Sequence, residues 1–166
     1  MSVKKYDLLA GGQICPPASG RYYSLYSPVD STLIAEVADA TGVDVDRAVV
    51  AAHEAFCAEW KFCSVEHKRA LFAKLKEILY ATADELAAAK VQPQGGAGIP
   101  PLIERVIDYY VDKLDDPAGT LIEHGDQQTN YVYREPLGVV AIFVPFNGPM
   151  LGALLAAVPA LVAGNT

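Results

Sequence analysis

The sequence predicts an α/β protein, and its carboxy-terminal stretch carries most of that prediction. The run from Gly138 to Val144 is β-branched and aromatic, which is typical of a strand buried on both faces. Pro145 to Pro149 is rich in turn residues, and its last proline suits the first position of a helix. Met150 to Val162 reads as a buried Ala/Leu-rich helix, with Gly164 where a helix commonly ends. Strand, turn and helix together predict the opening of a doubly wound α/β unit.

The turn at the carboxyl end of this strand is the candidate functional position. Open α/β sheets bind ligands at the carboxyl ends of their strands. Asn147 is the polar side chain of the turn, in an otherwise apolar setting, and a polar group there requires a partner. Two interpretations stand side by side. Asn147 caps the helix or closes the turn, or its amide donates a hydrogen bond to a substrate oxygen.

The amino-terminal part, from Tyr6 to Ala40, predicts short strands separated by turns. Gly11-Gly12, Pro16 to Gly20 and Ser27 to Ser31 have turn composition. Leu33 to Val37 is the clearest strand candidate of this part. A β-meander packed on helices fits this pattern.

Three helices are predicted to follow. Thr41 to Trp60 is amphipathic, with Asp44 as a candidate cap. Ser64 is a candidate N-cap for the second helix, and Thr82 opens a capping box for a third that ends near Lys90. The first helix has apolar residues at helical spacing that predict one buried face: Val45, Val49, Ala52, Phe56 and Trp60.

The segment from Val91 to Pro101 is a Gly/Pro/Gln loop by composition. A helix from Leu102 to Leu114 is predicted after it. Thr120 to Glu123 and Asn130 to Arg134 then read as two strands. Between them, His124 is interpreted as a solvent-exposed turn histidine.

Charge and cysteine usage exclude several classes of function. The net charge of −7 argues against binding nucleic acid or an anionic membrane surface. Three cysteines without paired spacing indicate a reducing compartment, so we expect a cytoplasmic protein. Cys57 and Cys63 with His53 and His67 do not follow zinc spacing, and no metal site is predicted. The uncharged carboxy-terminal stretch is interrupted by Pro, Asn and Gly, which argues against a membrane span.

Three blocks carry a family resemblance. They are Glu135-Pro-Leu-Gly-Val-Val, Val144-Pro-Phe-Asn-Gly-Pro and Val158-Pro-Ala-Leu-Val-Ala-Gly-Asn-Thr. In order and spacing they resemble the P-x-G-V-V strand, the P-W-N-x-P turn and the P-A-L-A-A-G-N-T segment of NAD(P)-dependent aldehyde dehydrogenases. Phe146 stands where that family usually has Trp. In the loop from residue 91 to 101 the chain departs from the family, through a deletion, an altered dimer surface or local degeneracy of the sequence.

The resemblance implies a chemistry and a set of site residues. In the family a cysteine thiolate attacks the aldehyde, hydride passes to the nicotinamide of NAD or NADP, and glutamate-activated water releases the acid. Asn147 then matches the asparagine that stabilises the oxyanion. The cofactor cleft is lined by the segment matching Phe143, Val144, Pro145 and Phe146. None of the three cysteines stands in the motif of the nucleophile, so we expect the chain alone to be inactive.

The resemblance also implies a division at residue 135. Residues 1–134 are expected to hold hairpins, helices and, at 115–134, an arm that pairs with a neighbouring subunit. Residues 135–166 are expected to open a Rossmann-like dinucleotide-binding unit that breaks off at Thr166. A lone parallel strand and an all-apolar helix need cover, so the expected partner is a homo-oligomer or a missing carboxy-terminal portion. Two alternatives stay open: a non-catalytic interaction module derived from the family, and part of a CoA-acylating aldehyde dehydrogenase.

Overall fold

The computed structural model describes residues 3–82, 99–116, 119–124, 128–145 and 149–166. These residues form an α/β fold that divides into two compact units, Met1–Ala55 and Phe56–Thr166. The third predicted helix and most of the Gly/Pro/Gln loop lie outside the described residues. The domain division at residue 135 stays a prediction.

The first unit contains a small mixed sheet and a hairpin. Its strands are β1 (Lys4–Tyr6), β2 (Leu8–Ala10), β3 (Gln13–Cys15), β4 (Tyr22–Tyr26) and β5 (Leu33–Ala38). The central strand β5 pairs in parallel with β1 and antiparallel with β4, while β2 and β3 pair with each other. The predicted strand from Leu33 is therefore confirmed.

Helix α1 (Gly42–Ala58) begins with a turn that is stabilised by the Asp44 carboxylate. This carboxylate lies within the first turn and accepts hydrogen bonds from the backbone N–H and the hydroxyl of Thr41, at 2.9 and 2.8 Å. It also accepts from the Ala18 N–H at 2.9 Å and pairs with Arg47 at 2.9 Å. The bond from the Thr41 backbone lowers the pKa of Asp44 below its ordinary value. Thr41, and not the predicted Asp44, is the residue that precedes the helix. Asp44 lies inside the first turn, where its carboxylate bonds to Thr41 and ties the loop around Ala18 to α1.

The second unit is built from helices and one hairpin. Its helices are α2 (Val65–Ala81), α3 (Ile99–Asp112) and α4 (Pro149–Val162), with 3-10 turns at Trp60–Phe62 and Lys113–Asp115. The Ser64 hydroxyl accepts from the His67 N–H at 3.2 Å, which confirms the predicted N-cap of α2. Helix α3 begins earlier than predicted, because prolines are tolerated in the first turn of a helix.

One buried cluster joins helices α2, α3 and α4 of the second unit. Phe72 from α2, Ile103 and Ile107 from α3, and Val158 from α4 form its centre. Beside it, the Lys76 ammonium lies 2.5 Å from the Asp108 carboxylate, which raises the pKa of Lys76. The core therefore secures α4 to α2 and α3. No helix in the described ranges has the length and hydropathy of a membrane span.

The hairpin of the second unit consists of β6 (Gly119–His124) and β7 (Gln128–Tyr133). Both predicted strands are confirmed, with Leu121 opposite Tyr131 and Gly119 opposite Tyr133. A Cβ on Gly119 would lie 2.4 Å from the Val132 carbonyl oxygen, so a side chain at this position would force the strands apart.

Candidate functional site

The segment that was predicted as a buried strand, Gly138 to Val144, lies outside any sheet among the described residues. Gly138 is buried and Val139 half-buried, but Val140 to Val144 are exposed, and the Phe143 side chain is 95% exposed. The prediction of burial on both faces is wrong for this chain. A parallel strand is buried only by neighbouring strands and covering helices, and the described residues give this segment one pairing position.

That pairing position is Thr166. Its N–H donates to the Gly138 carbonyl at 2.9 Å, and its carbonyl accepts from the Val140 N–H at 2.7 Å. One residue bonded to both neighbours of an opposing residue is the pattern of a parallel ladder. Thr166 is therefore paired beside Val139 in the register of a parallel strand.

The C-terminal end of α4 is closed by a Schellman motif. The Gly164 N–H donates to the Leu161 carbonyl at 3.0 Å, and the Asn165 N–H donates to the Ala160 carbonyl at 3.0 Å. Gly164 has a φ of +92°, and a Cβ there would lie 3.3 Å from Pro136. Both the backbone angle and the close approach require glycine, which explains the helix end predicted at this residue.

The side chain of Asn165 joins this helix end to the segment that enters the site. Its Oδ1 accepts from the Leu137 N–H at 2.7 Å and from the Gly138 N–H at 3.1 Å. Its Nδ2 donates to the Ala160 carbonyl at 3.1 Å. The residue is 8% exposed, and its amide thus pairs with three backbone groups, of which the Gly138 N–H is buried.

Lys68 brings a positive charge close to this region. The residues from Leu137 to Thr166 carry no charged side chain, whereas Lys68 of α2 is only 8% exposed. Its Nζ lies 5.2 Å from the centre of the Trp60 ring and 3.5 Å from the position of a Cβ on Gly164. A cation at the C-terminal end of α4 is favourable because the helix dipole is negative there.

The other end of the segment lies against the start of α4. A Cβ on Gly152 would lie 3.1 Å from Val144 Cγ1 and 3.8 Å from Pro145 Cδ. Asn165 therefore fixes the entry of the segment by hydrogen bonds, and the exit lies close to the first turn of α4. Phe146, Asn147 and Gly148, which include the predicted catalytic residue, lie outside the described residues.

The described part of this region offers polar contacts but no reactive group of its own. The segment Phe143 to Pro145, predicted to line the cofactor cleft, is an exposed and uncharged surface. The three cysteines all precede residue 64 in the sequence. Within the described ranges, no cluster of His, Cys, Asp or Glu is arranged to hold a metal ion. The arrangement can orient a bound group, and a nucleophile would have to come from elsewhere.

Comparison with known proteins identifies the class. The family described as "Aldehyde dehydrogenase family" matches residues 15–166. A probable aldehyde dehydrogenase of Streptomyces coelicolor is 36% identical over 97% of this chain and 33% of its own length. Aldehyde dehydrogenase B of Escherichia coli K12 is 32% identical over 97% of this chain and 32% of its own length. The structure of PnpE in complex with nicotinamide adenine dinucleotide superposes with a TM-score of 0.88 at 32% identity, covering 97% of this chain and 34% of that one.

These matches define the class of fold, the α/β fold of the aldehyde dehydrogenases. The chain belongs to the aldehyde dehydrogenase family. It spans about a third of the length of the relatives that it matches, and corresponds to their amino-terminal part. The resemblance seen in the three sequence blocks is thereby confirmed.

Sequence reasoning did not single out Asn165 or Lys68. One local feature points to Asn165, because it follows the glycine that ends α4. The backbone N–H of that position donates the six-to-one hydrogen bond of a Schellman motif. Its side-chain bonds reach residues 27 and 28 positions away in the chain, which no local pattern reveals. Lys68 lies in a helix rich in charged residues and has no sequence signal that separates it from its exposed neighbours.

Proposed function

We propose that this chain is the amino-terminal third of an NAD(P)-dependent aldehyde dehydrogenase that oxidises an aldehyde to a carboxylic acid. The observation that carries the proposal is the segment from Leu137 to Val144, which Asn165 fixes at its entry and which leads into the family's asparagine turn. The location we infer is cytoplasmic, from three cysteines without paired spacing.

The proposed reaction converts an aldehyde, water and NAD(P)⁺ into a carboxylic acid, NAD(P)H and a proton. The cysteine thiolate and the glutamate base of the family are assigned to the part of the enzyme that this chain does not contain. Asn147 is the catalytic residue that we assign to this chain. Its amide N–H donates to the oxygen that becomes negative when the thiolate adds to the carbonyl, and so stabilises that charge.

The cofactor-binding role is proposed for Phe143, Val144, Pro145 and Phe146. The described members of this set fit one wall of a nucleotide cleft, because they are exposed and uncharged and follow a fixed backbone. When bound, NAD(P)⁺ supplies the hydride acceptor. With one wall present, we expect cofactor affinity of the isolated chain to be weak.

The activity test uses complementation. The 166-residue chain is co-expressed with the remaining carboxy-terminal part of the Streptomyces coelicolor relative, and aldehyde-dependent NAD(P)H formation is measured. We expect activity from the pair and none from either chain alone, because the nucleophile and Asn147 lie on different chains. Activity of the 166-residue chain by itself would contradict the assigned roles. A stable pair without activity would overturn the proposed function.

We propose that the hairpin β6–β7 pairs with a neighbouring subunit of the complete enzyme. A two-stranded hairpin has two open edges, and isolated hairpins are marginally stable in water. Tyr131 is 79% exposed, and Tyr133 and Leu121 on the same face are also exposed. Exposed tyrosines of this kind are typical anchors of protein interfaces.

Replacing Tyr131 and Tyr133 with Ser should weaken oligomerisation of the complemented enzyme. We expect the dissociation constant between subunits to rise roughly tenfold or more, because two aromatic anchors are lost. Light scattering over a dilution series measures it. Tyr109→Ser, an exposed tyrosine on α3, is the matched control. An unchanged mass in the double variant, or an equal loss in the control, would refute the role of the hairpin.

A further inference from the structure

The Asn165 amide fixes the backbone at the entry to the cofactor-lining segment. Consecutive N–H groups of a regular strand point to opposite sides, yet those of Leu137 and Gly138 both donate to Asn165 Oδ1, at 2.7 and 3.1 Å. The backbone therefore departs from strand geometry here, and Gly138 has a φ of +114°. Asn165 holds this bend from the opposite side.

The backbone bend at Gly138 sets the direction of the residues that follow it. Immediately after it, Thr166 bonds to the Gly138 carbonyl and the Val140 N–H. At the far end, Val144 contacts the first turn of α4 at Gly152. The Asn165 side chain, which also bonds to the last turn of α4 at Ala160, is thus a side-chain link between the entry of the segment and the helix on which it lies.

We propose that Asn165 is a positioning residue for cofactor binding, acting through the placement of Phe143 to Pro145. The inference rests on the proposed function and deepens it. The Oδ1 atom of Asn165 sets the position of the segment by accepting its two N–H groups. The Nδ2 atom donates to the Ala160 carbonyl and so keeps Oδ1 in place. Misplacement of a substrate-positioning group by about 1 Å can cost roughly a hundredfold in rate. Because Asn165 acts on the segment proposed to line the cofactor, we expect its effect at cofactor binding rather than at the chemical step.

The chemistry of the amide gives a discriminating pair of variants. Asn165→Ala removes both the acceptor and the donor. Asn165→Asp keeps an oxygen for the Leu137 and Gly138 N–H groups but cannot donate to the Ala160 carbonyl. If the acceptor positions the segment, Asp restores cofactor binding while still losing stability. If the residue matters only for stability, both variants lose cofactor binding in step with their unfolding midpoints.

The test has two measurements. In the complemented enzyme, we expect Asn165→Ala to raise the KM for NAD⁺ roughly 10- to 100-fold with kcat changed less than about threefold, and Asn165→Asp to stay within about threefold of wild type. On the 166-residue chain, hydrogen exchange should show lost protection at Leu137 and Gly138 in Asn165→Ala and retained protection in Asn165→Asp. Gln13→Glu, an exposed amide of β3, is the control substitution.

The outcomes separate this inference from the proposed function. Equal exchange protection in wild type and Asn165→Ala would overturn the inference, as would lost protection with an unchanged KM. If Asn165→Ala and Asn165→Asp lost cofactor binding in parallel with stability, the inference would be overturned, because Asn165 would then affect stability alone. If the wild-type pair shows no aldehyde-dependent reduction of NAD⁺, the proposed function fails and the cofactor role falls with it, while the exchange result still reports whether Asn165 holds the segment.

Discussion

Replacing Ile107 with Ala is expected to lower the free energy of unfolding by about 2–5 kcal/mol. Ile107 is fully buried, at 0% exposure, and packs with Phe72, Ile103 and Val158 in the cluster that joins α2, α3 and α4. The loss combines the transfer free energy of the removed methyl and methylene groups with the cavity that a close-packed core cannot fill. Few single positions in the described chain are buried as completely.

Chemical denaturation followed by circular dichroism measures this change. Leu102→Ala is the matched control, because Leu102 lies on the same helix but is exposed. We expect the control to lose less than about 1 kcal/mol, as is usual for substitutions outside the core. Similar losses in the two variants would mean that the cluster of Ile107 is not the core of the second unit.

Local sequence signals predicted the helices well. Ser64 was expected to cap α2, and its hydroxyl accepts from a backbone N–H three residues later. Gly164 was expected to end α4, and its positive φ explains why. Both signals act within one helical turn, so the residues that create them lie next to the structure that they determine.

Predictions that depend on distant partners fared less well. The segment from Gly138 to Val144 has the composition of a buried strand, but burial as a strand requires paired neighbours, and the described chain provides strand-like pairing only at Thr166. The apolar stripe of α1 is another case, because Val45 and Val49 are exposed. An apolar sequence pattern shows which face of a strand or helix must be buried. It does not show whether the residues that bury this face belong to the same chain.

The position of the candidate site in the chain could be predicted from the sequence, whereas the contacts that stabilise it could not. Strand composition followed by Pro145 and Pro149 located the turn, and the family motif assigned Asn147 a role that remains a proposal. The contacts that hold the place, from Asn165 to Leu137 and Gly138, could not be predicted, because they join residues far apart in sequence.

Replacing Asn147 with Ala is expected to lower kcat of the complemented enzyme about 10²- to 10³-fold, or about 2.7–4 kcal/mol of transition-state stabilisation. The proposed donor would be lost where negative charge develops, and Ala offers no hydrogen bond in its place. Asn147→Asp should not restore activity, because an ionised carboxylate only accepts hydrogen bonds and repels an oxyanion. The KM for NAD⁺ should change little, since the cofactor segment keeps its bonds to Asn165.

The most direct test of the account is kcat of Asn147→Ala beside wild type, measured as aldehyde-dependent NAD(P)H formation by this chain paired with the carboxy-terminal part of the Streptomyces coelicolor relative. Gln13→Glu serves as the control for substitution of an amide. We expect the wild-type pair to be active, the control to equal wild type and kcat of the Asn147→Ala pair to be reduced at least about 100-fold. An Asn147→Ala pair as active as wild type would contradict the claim that this chain takes part in aldehyde oxidation.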